Sequence, residues 1–396
     1  MIRVNRLKGK NVFLALFLTL IVVSSIWVSY SQATPRKKVL IGVLFDIGGR
    51  GDLSFNDMAW YGSQLAKEEL EREGYEVKVK YYTPRSTAEY VPVLEQFASS
   101  GRYAVLVCVG FLWTDALKTV AKKYKEQKFG IIDAVVDLPN VLSVVYRENE
   151  GSAIVGAVAA AVSKTGKIGI VLGMEIPVLW KFEIGYGFGA KWMAKKLGKK
   201  VTVYYYYTGS FSDPARGREA ASAMLAQGVD VIYAAAGATG LGVLDEVYNR
   251  AKSTGKRLFA IGVDADQDWI HPGYILTSMR KKVDLGVKLI ILRAVKGPWK
   301  GGILSLGVKE GGVGMTTPKD LDIWLDFLRI AKGYGESKLK DIKAKVSVMF
   351  EKYVMPYMSL INELREGIIN GTIKPPVPTS ETIEKLRAEY MTPLGI

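Results

Sequence analysis

Cysteine and histidine are almost missing from these 396 residues; there is one of each. Cys108 sits inside the apolar run YAVLVCVGF, where a thiol packs as a small hydrophobe, so it reads as a core residue and not as a nucleophile or ligand. Without a second cysteine there is no disulfide framework. A lone His271 excludes a histidine-cluster metal site and has no evident catalytic partners. No serine stands between glycines in a nucleophile elbow. The glycines of AGATGLG (Ala236 to Gly242) have neither the dinucleotide spacing nor the lysine of a phosphate loop. DADQD (Asp264 to Asp268) alternates acids like a calcium loop, but Trp269 stands where the turn glycine is needed and Ile275 where the bidentate glutamate is needed. These absences leave no expected metal, cofactor or catalytic residue, and a protein that is not an enzyme.

A formal charge of +15 raises the question of nucleic acid. The lysines and arginines are spread among acids along expected helices, as in KEELEREG (Lys67 to Gly74), which describes a solvated basic surface and no nucleic-acid partner. The apolar share of 49% suits a folded protein, and the length exceeds one comfortable core, so two lobes are expected.

At the amino end Arg3, Arg6, Lys8 and Lys10 precede an apolar stretch from Val12 to Val28, followed by the small polar tract SYSQAT. This is an export signature, with the amino end in the cytoplasm and the bulk outside. Residues 1–35 are either a signal peptide or an N-terminal membrane anchor. The stretch is longer than a usual signal core and short of the ~20 residues that span a bilayer comfortably. No cysteine lies near its end, which excludes a lipid-modified cysteine of the bacterial lipoprotein kind.

Beyond the leader, strands and helices alternate. The strands Val39 to Phe45, Val77 to Tyr82, Ala104 to Val109 and Phe129 to Asp133 are separated by helices near Met58 to Glu73, Thr87 to Ser99 and Ala116 to Tyr124. A second series begins with the small-residue helix Ser152 to Val162 and the strand Lys167 to Leu172, and continues through Val201 to Tyr207, Val229 to Ala235 and Leu258 to Val263. Such alternation predicts doubly wound parallel sheets, here two in tandem with a cleft between them. From Trp299 to Met315 the chain is glycine-rich and strand-like, Asp320 to Phe350 is amphipathic helix, and Phe350 to Gly371 continues helically. The end, IKPPVPTSETIEKLRAEY, reads as an edge strand and a terminal helix capped by Thr379 or Ser380.

Open α/β sheets bind ligands at the carboxyl ends of their strands. The run VLIGVLF ends in Asp46, followed by a glycine-rich loop and Ser54-Phe55-Asn56 at the start of a helix. An aspartate, an aromatic face and an amide then line one pocket. GFLWTDAL (Gly110 to Leu117), GSFSDP (Gly209 to Pro214), AAGATG (Ala235 to Gly240) and GVDADQ (Gly262 to Gln267) follow other strands. Singly these residues have plain explanations: Asp115 is as much an N-cap as a ligand contact, Asp213 is a cap before Pro214, and Phe55 and Phe211 are loop-packing aromatics. Together they converge on one cleft.

The ordered series DIGGRGDLSFND, GFLWTD, NVLSVVYRENEGSAIVGAVAA, GMEIPVLWKFEIGYGFGA, GSFSDPARGREAA, AAGATGLGV, GVDADQ and LTSMRKKVD resembles the basic membrane protein family of substrate-binding proteins. Its best-understood members are purine nucleoside receptors serving ABC importers. The resemblance runs from about Val39 to about Gly312, and the region around Thr316 to Lys352 is longer than the family's usual ending. It implies a two-lobed periplasmic-binding-protein type I fold, each lobe a doubly wound parallel sheet flanked by helices. It also implies an exported binding protein that delivers a nucleoside to an ABC permease and its ATPase. The family pattern puts Asp46 on the nucleobase edge, Phe55 and Phe211 on either face of the purine, Asp115, Asp264 and Lys281 on the ribose hydroxyls, and Gly237 where the backbone approaches the ligand. Ile47 departs from it, standing where a polar residue can help read the base. Asp264 is preferred to Asp266 because it sits closer to the strand end.

The expected lobes are residues 36–147 plus about 265–298, and 148–264 plus about 299–396. Hinge crossings are expected near Val145 to Gly151, Val263 to Asp266 and Gly297 to Gly301. An extracellular sensor that binds the same ligand and contacts a receptor, and a nucleoside hydrolase, are the alternatives. Dispersal of the acids over separate loops argues against the hydrolase.

Overall fold

The computed structural model describes residues 36–395; the expected leader lies outside the described residues. Each short, continuously apolar run is a strand covered on both faces, as in the fully buried Val105–Val109, and each longer amphipathic stretch is a helix on the sheet. The first sheet contains β1 (Lys38–Leu44), β2 (Glu76–Tyr82), β3 (Val105–Val109), β4 (Phe129–Ile132), β5 (Val141–Tyr146) and β11 (Gly302–Leu306), in the order β11-β5-β4-β3-β1-β2. The second contains β6 (Lys167–Leu172), β7 (Thr202–Tyr207), β8 (Val231–Ala235), β9 (Phe259–Asp264), β10 (Ile275–Lys281), β12 (Val313–Met315) and β13 (Thr392–Pro393), in the order β12-β10-β9-β8-β6-β7-β13. Pairing is parallel throughout except between β10 and β12.

Helices α1 (Phe55–Arg72), α2 (Tyr90–Ser99) and α3 (Thr114–Lys123) follow β1, β2 and β3, while α5 (Pro177–Leu197), α6 (Pro214–Ala226) and α7 (Ala238–Thr254) follow β6, β7 and β8. The two sheets therefore repeat one winding. In both, the fourth and fifth strands are parallel neighbours joined by a helix-free segment, residues 133–140 in the first and 265–274 in the second. This departure from strict alternation explains why the periodicity singles out neither β5 nor β10.

Strand pairing also corrects the expected lobe boundaries. β10 lies in the second sheet beside β9, so residues 265–281 do not belong to the first lobe. Helix α8 (Val283–Lys296) packs against α1, β3 and β4, and β11 pairs with β5, so the first lobe extends through Leu306. The chain crosses between sheets at 146–148, as expected, and then at 281–283 and 306–313 in place of 263–266 and 297–301.

Helix α4 (Glu148–Val162) carries the first crossing and is buried along almost its whole length. Glycine and alanine bring it against α5 so closely that a Cβ on Gly189 would stand 1.8 Å from the Ala153 carbonyl oxygen. The expected amphipathic helix after Asp320 is two helices, α9 (Asp322–Lys332) and α10 (Glu336–Tyr353), broken at Gly333 with φ 65°. Leu321, Leu325, Leu328, Leu339, Ile342 and Val346 pack together around Trp269. After α11 (Met358–Asn370), the proline-rich stretch forms no strand; α12 (Ile383–Tyr390) follows Thr382, and the edge strand is β13. No helix among the described residues is long and apolar enough to cross a membrane.

Candidate functional site

The carboxyl ends of both sheets face one partly enclosed cleft. The first sheet contributes Asp46, Ile47 and Gly48 after β1, Phe55 and Asn56 at the start of α1, Gly110 and Phe111 after β3, and Asp133 after β4. From the second come Ile176, Val178, Leu179 and Phe182 around the start of α5, Phe211 after β7, Gly237 after β8, Asp264 and Lys281. Seven of the eight residues expected at the site, all except Asp115, thus lie together. Asp115 points away: its side chain is 97% exposed and lies 3.6 Å from Lys118. One turn of 3-10 helix at Phe111–Trp113 precedes α3, so the phase of the backbone puts Phe111 on the cleft and turns Asp115 to solvent.

The loop after β1 is braced by its own acids. Asp46 Oδ1 accepts hydrogen bonds from Tyr90 Oη and the Ile47 amide, both at 2.8 Å, and the Asp46 amide donates to Asn56 Oδ1 at 3.1 Å. Asp52 accepts from the amides of Ser54, Asn56 and Asp57 and from Asn56 Nδ2. Burial pushes the Asp46 carboxyl up to about 6 even though the Tyr90 bond opposes it; burial does the same to Asp52, with Asp57 adding repulsion.

Phe211 packs over bare backbone: a Cβ on Gly173 would come within 2.2 Å of its ring. Gly237 has φ 57°, a left-handed conformation costly for other residues, and a Cβ there would stand 3.2 Å from the Phe211 carbonyl oxygen. Asp213 caps α6, accepting from the Ala215 and Arg216 amides, with Pro214 at the first helical position.

Lys281 occupies the centre. Its Nζ lies 2.5 Å from Asp133 Oδ2 and 3.0 Å from Glu148 Oε1, while Glu148 Oε2 pairs with Lys181. The ammonium also lies 5.1 Å from the Phe55 ring centroid and 5.4 Å from that of Phe182. Burial works against the charged ammonium, but Asp133, Glu148 and Asp264 outweigh it and hold its pKa above the ordinary lysine value. Glu148, fully buried, is nonetheless held below the usual carboxylate range, since Lys181 and Lys281 overcome its desolvation. Asp264 is pushed up to about 7 by burial, against the pull of Lys281. Its Oδ2 accepts a 3.4 Å bond from Ser54 Oγ. Oδ1 of Asp264 and Oδ1 of Asp133 are buried without a hydrogen-bond partner. Buried carboxylate oxygens left in this state call for a donor. Asp266 does not line the cleft.

Residues 38–330 match the family described as ABC transporter substrate-binding protein, PnrA-like. The chain belongs to the basic membrane protein family. Members of this family are solute-binding proteins of ABC transporters, which are not enzymes, and the ligand, permease and ATPase are the partners that role implies. The chain is 44% identical over 355 residues to an uncharacterized lipoprotein of Pyrococcus horikoshii, covering 87% of this chain and 85% of that one. It is 33% identical over 330 residues to the ABC transporter nucleoside-binding protein BmpA of Lactococcus lactis, covering 79% and 88%. An ABC transporter system solute-binding protein from Aeropyrum pernix superposes with a TM-score of 0.83 at 38% identity, covering 88% of this chain and 98% of that one. The two-sheet architecture is accordingly the type I periplasmic-binding fold.

Sequence reasoning missed Asp133, Phe111, Phe182 and the apolar wall of Ile176, Val178 and Leu179, together with Glu148 behind Lys281. Asp133 ends an apolar strand as Asp46 does, so the same signal was available for it. Phe111 follows β3 directly, and Phe182 lies within the α5 stretch GMEIPVLWKFEIGYGFGA. Glu148 carries no local signal: an acid in the first turn of a helix ordinarily answers the helix dipole, and only the tertiary approach of Lys181 and Lys281 ties it to the residues that line the cleft.

Proposed function

We propose that the cleft captures a purine nucleoside and presents it, chemically unchanged, to an ABC permease and its ATPase. One observation carries this reading: phenyl rings from both lobes, Phe55 and Phe211, share a cleft with two buried aspartate oxygens that have no partner. Stacking suits a flat base, and ionised aspartates accept strong hydrogen bonds from sugar hydroxyls. Asp133 takes the ribose-facing place that the resemblance gave to Asp115, beside Asp264 and Lys281. Asp46 and Asn56 face the base edge, and Gly237 admits the ligand beside backbone. The nucleoside-binding name of the Lactococcus relative supports the same ligand class. Closure proceeds about the three crossings at 146–148, 281–283 and 306–313, driven by contacts made only in the closed state.

The protein works outside the cytoplasmic membrane, held to its outer face by the N-terminal segment. Relatives are named lipoproteins. Here the sole cysteine, Cys108, is buried within β3, and no thiol is accessible for lipid attachment.

Calorimetry with adenosine, inosine, guanosine, uridine and adenosine monophosphate tests the reading. The expected order puts a purine nucleoside first and the nucleotide last, because the acids of the cleft repel phosphate. Tightest binding of the nucleotide, no binding of any nucleoside, or release of free base overturns it.

A further inference from the structure

Beyond the family-matched residues the chain returns to the cleft from behind its second wall. The Pro375 carbonyl oxygen accepts a 2.8 Å bond from Asn149 Nδ2 on α4. Helix α12 then lies on α5, where Met391 and Tyr390 pack over Gly187. β13 adds a parallel strand to β7, and the Leu394 amide donates to the Tyr205 carbonyl oxygen at 3.1 Å.

Arg387 is the polar centre of this strap, and its side chain is only 11% exposed. Its Nε and Nη2 grip Glu183 Oε1 and Oε2 at 2.9 and 3.0 Å, and Nη2 also donates to Glu175 Oε1 at 2.7 Å. Tyr207 Oη donates to the same Glu183 at 2.7 Å, and the guanidinium lies over the Tyr205 and Tyr207 rings. Glu183 is wholly buried, so its charge is tolerable only with such a partner. Glu175 and Glu183 bracket Ile176, Val178, Leu179 and Phe182, the apolar wall that the second lobe gives the cleft. The first turn of α5 has no side-chain cap of its own to fix where that wall begins.

We propose that Arg387 is a positioning residue for the ligand cleft: through Glu175 and Glu183 it sets the wall from Ile176 to Phe182, which makes the C-terminal tail part of the binding machinery. The inference rests on the cleft being the ligand site and not on which ligand it takes. A bidentate, ring-stacked guanidinium is not replaceable by an ammonium, so Arg387→Lys should fall between the wild type and Arg387→Met.

The test compares the full chain with Arg387→Met, Arg387→Lys and Glu175→Gln, the last removing only the bond at the start of the wall. Hydrogen exchange of ligand-free protein should quicken over residues 174–184 in Arg387→Met, with α1 unchanged. Calorimetry with inosine, well below the unfolding temperature, should show dissociation constants raised about tenfold in Arg387→Met and less in the other two. A purely structural strap lowers the melting temperature but leaves the affinity of the folded protein intact, and that result overturns the proposal. Unchanged exchange over 174–184 also overturns it. If Arg387→Met does not fold, Arg387→Lys and Glu175→Gln decide on the same two readouts. Should the wild type fail to bind inosine or any other nucleoside, the ligand assignment falls, and the exchange comparison still decides whether the tail holds the wall from Ile176 to Phe182.

Discussion

Asp133 and Asp264 hold the same place in the two lobes. Each lies at the carboxyl end of the fourth strand of its winding, each has a left-handed backbone, with φ 70° and 63°, and each enters a helix-free crossing to the fifth strand. Each also keeps a buried Oδ1 without a partner on the same cleft. A left-handed, non-glycine conformation costs about 1–3 kcal/mol and persists where the surroundings over-determine it, often at binding sites. The winding thus delivers two acids to one cleft from opposite sides.

Asp133 and Asp115 should separate cleanly on mutation. Asp115→Ala removes an exposed carboxylate with one weak ion pair, so ligand affinity and stability should both stay within about 0.5 kcal/mol of wild type. Asp133→Asn removes a charge from the Lys281 network and a cleft-lining acceptor. Affinity should fall by about 1.5–3 kcal/mol, the scale of charge-assisted bonds. Calorimetry on both variants is the check, and a larger loss from Asp115→Ala would restore the sequence-based assignment.

The aromatic pair makes the second prediction. Phe55→Ala and Phe211→Ala should each weaken nucleoside binding by about 1–3 kcal/mol, the range for a base stacked on an aromatic side chain. Phe55 also lies against the Lys281 ammonium, so its removal costs more than stacking alone and the two losses need not add. Unchanged affinity with an intact fold would mark both rings as loop packing.

The winding and the loop after β1 are legible because they are local. A continuous apolar strand, an aspartate, glycines and a helix start follow one another in sequence, and Asp46, Phe55 and Asn56 follow from that order. Asp115 is misplaced because a single turn of 3-10 helix sets the phase of α3, and composition carries no record of that turn. β10 escapes notice because its parallel partner β9 precedes it without a helix between, and the lobe boundary shifts with it. The pairing of Glu148 with two lysines is set by tertiary approach alone. Resemblance to the family, more than spacing, is what places Lys281 at the site.

Membrane attachment should not depend on the thiol. In cells expressing the full chain, wild type and Cys108→Ala alike should be found in the membrane fraction, accessible to protease from outside. The apolar stretch from Val12 to Val28 supplies the attachment in this reading, and the thiol is sealed in a strand core. Loss of membrane association on Cys108→Ala, or recovery of the wild type as a soluble cytoplasmic protein, would refute this.

Asp264 links affinity and stability to pH in opposite directions. Burial raises its carboxyl to about 7 in the ligand-free fold, against an ordinary value of 3.8. A raised carboxyl favours the fold when protonated. Its contribution is therefore fully present below about pH 4 and is lost as pH rises through about 7. Asp264→Asn, which cannot ionise, should make the ligand-free protein more stable than wild type at pH 8, by about 1–3 kcal/mol, with the gain shrinking toward pH 5. Binding has the reverse sign. In the proposed reading ribose hydroxyls donate to the ionised carboxylate, so a nucleoside should draw the proton off, and affinity should improve as pH rises through 7 and level off above it. Calorimetry in buffers of different ionisation enthalpy should detect proton release near pH 6.5 in the wild type and less of it in Asp264→Asn. A nucleoside analogue without ribose hydroxyls should bind weakly and lose less on the substitution, which closes a double cycle. Equal losses for both ligands, with no change in proton release, would move the ribose contact to Asp133 and leave Asp264 a residue of the fold.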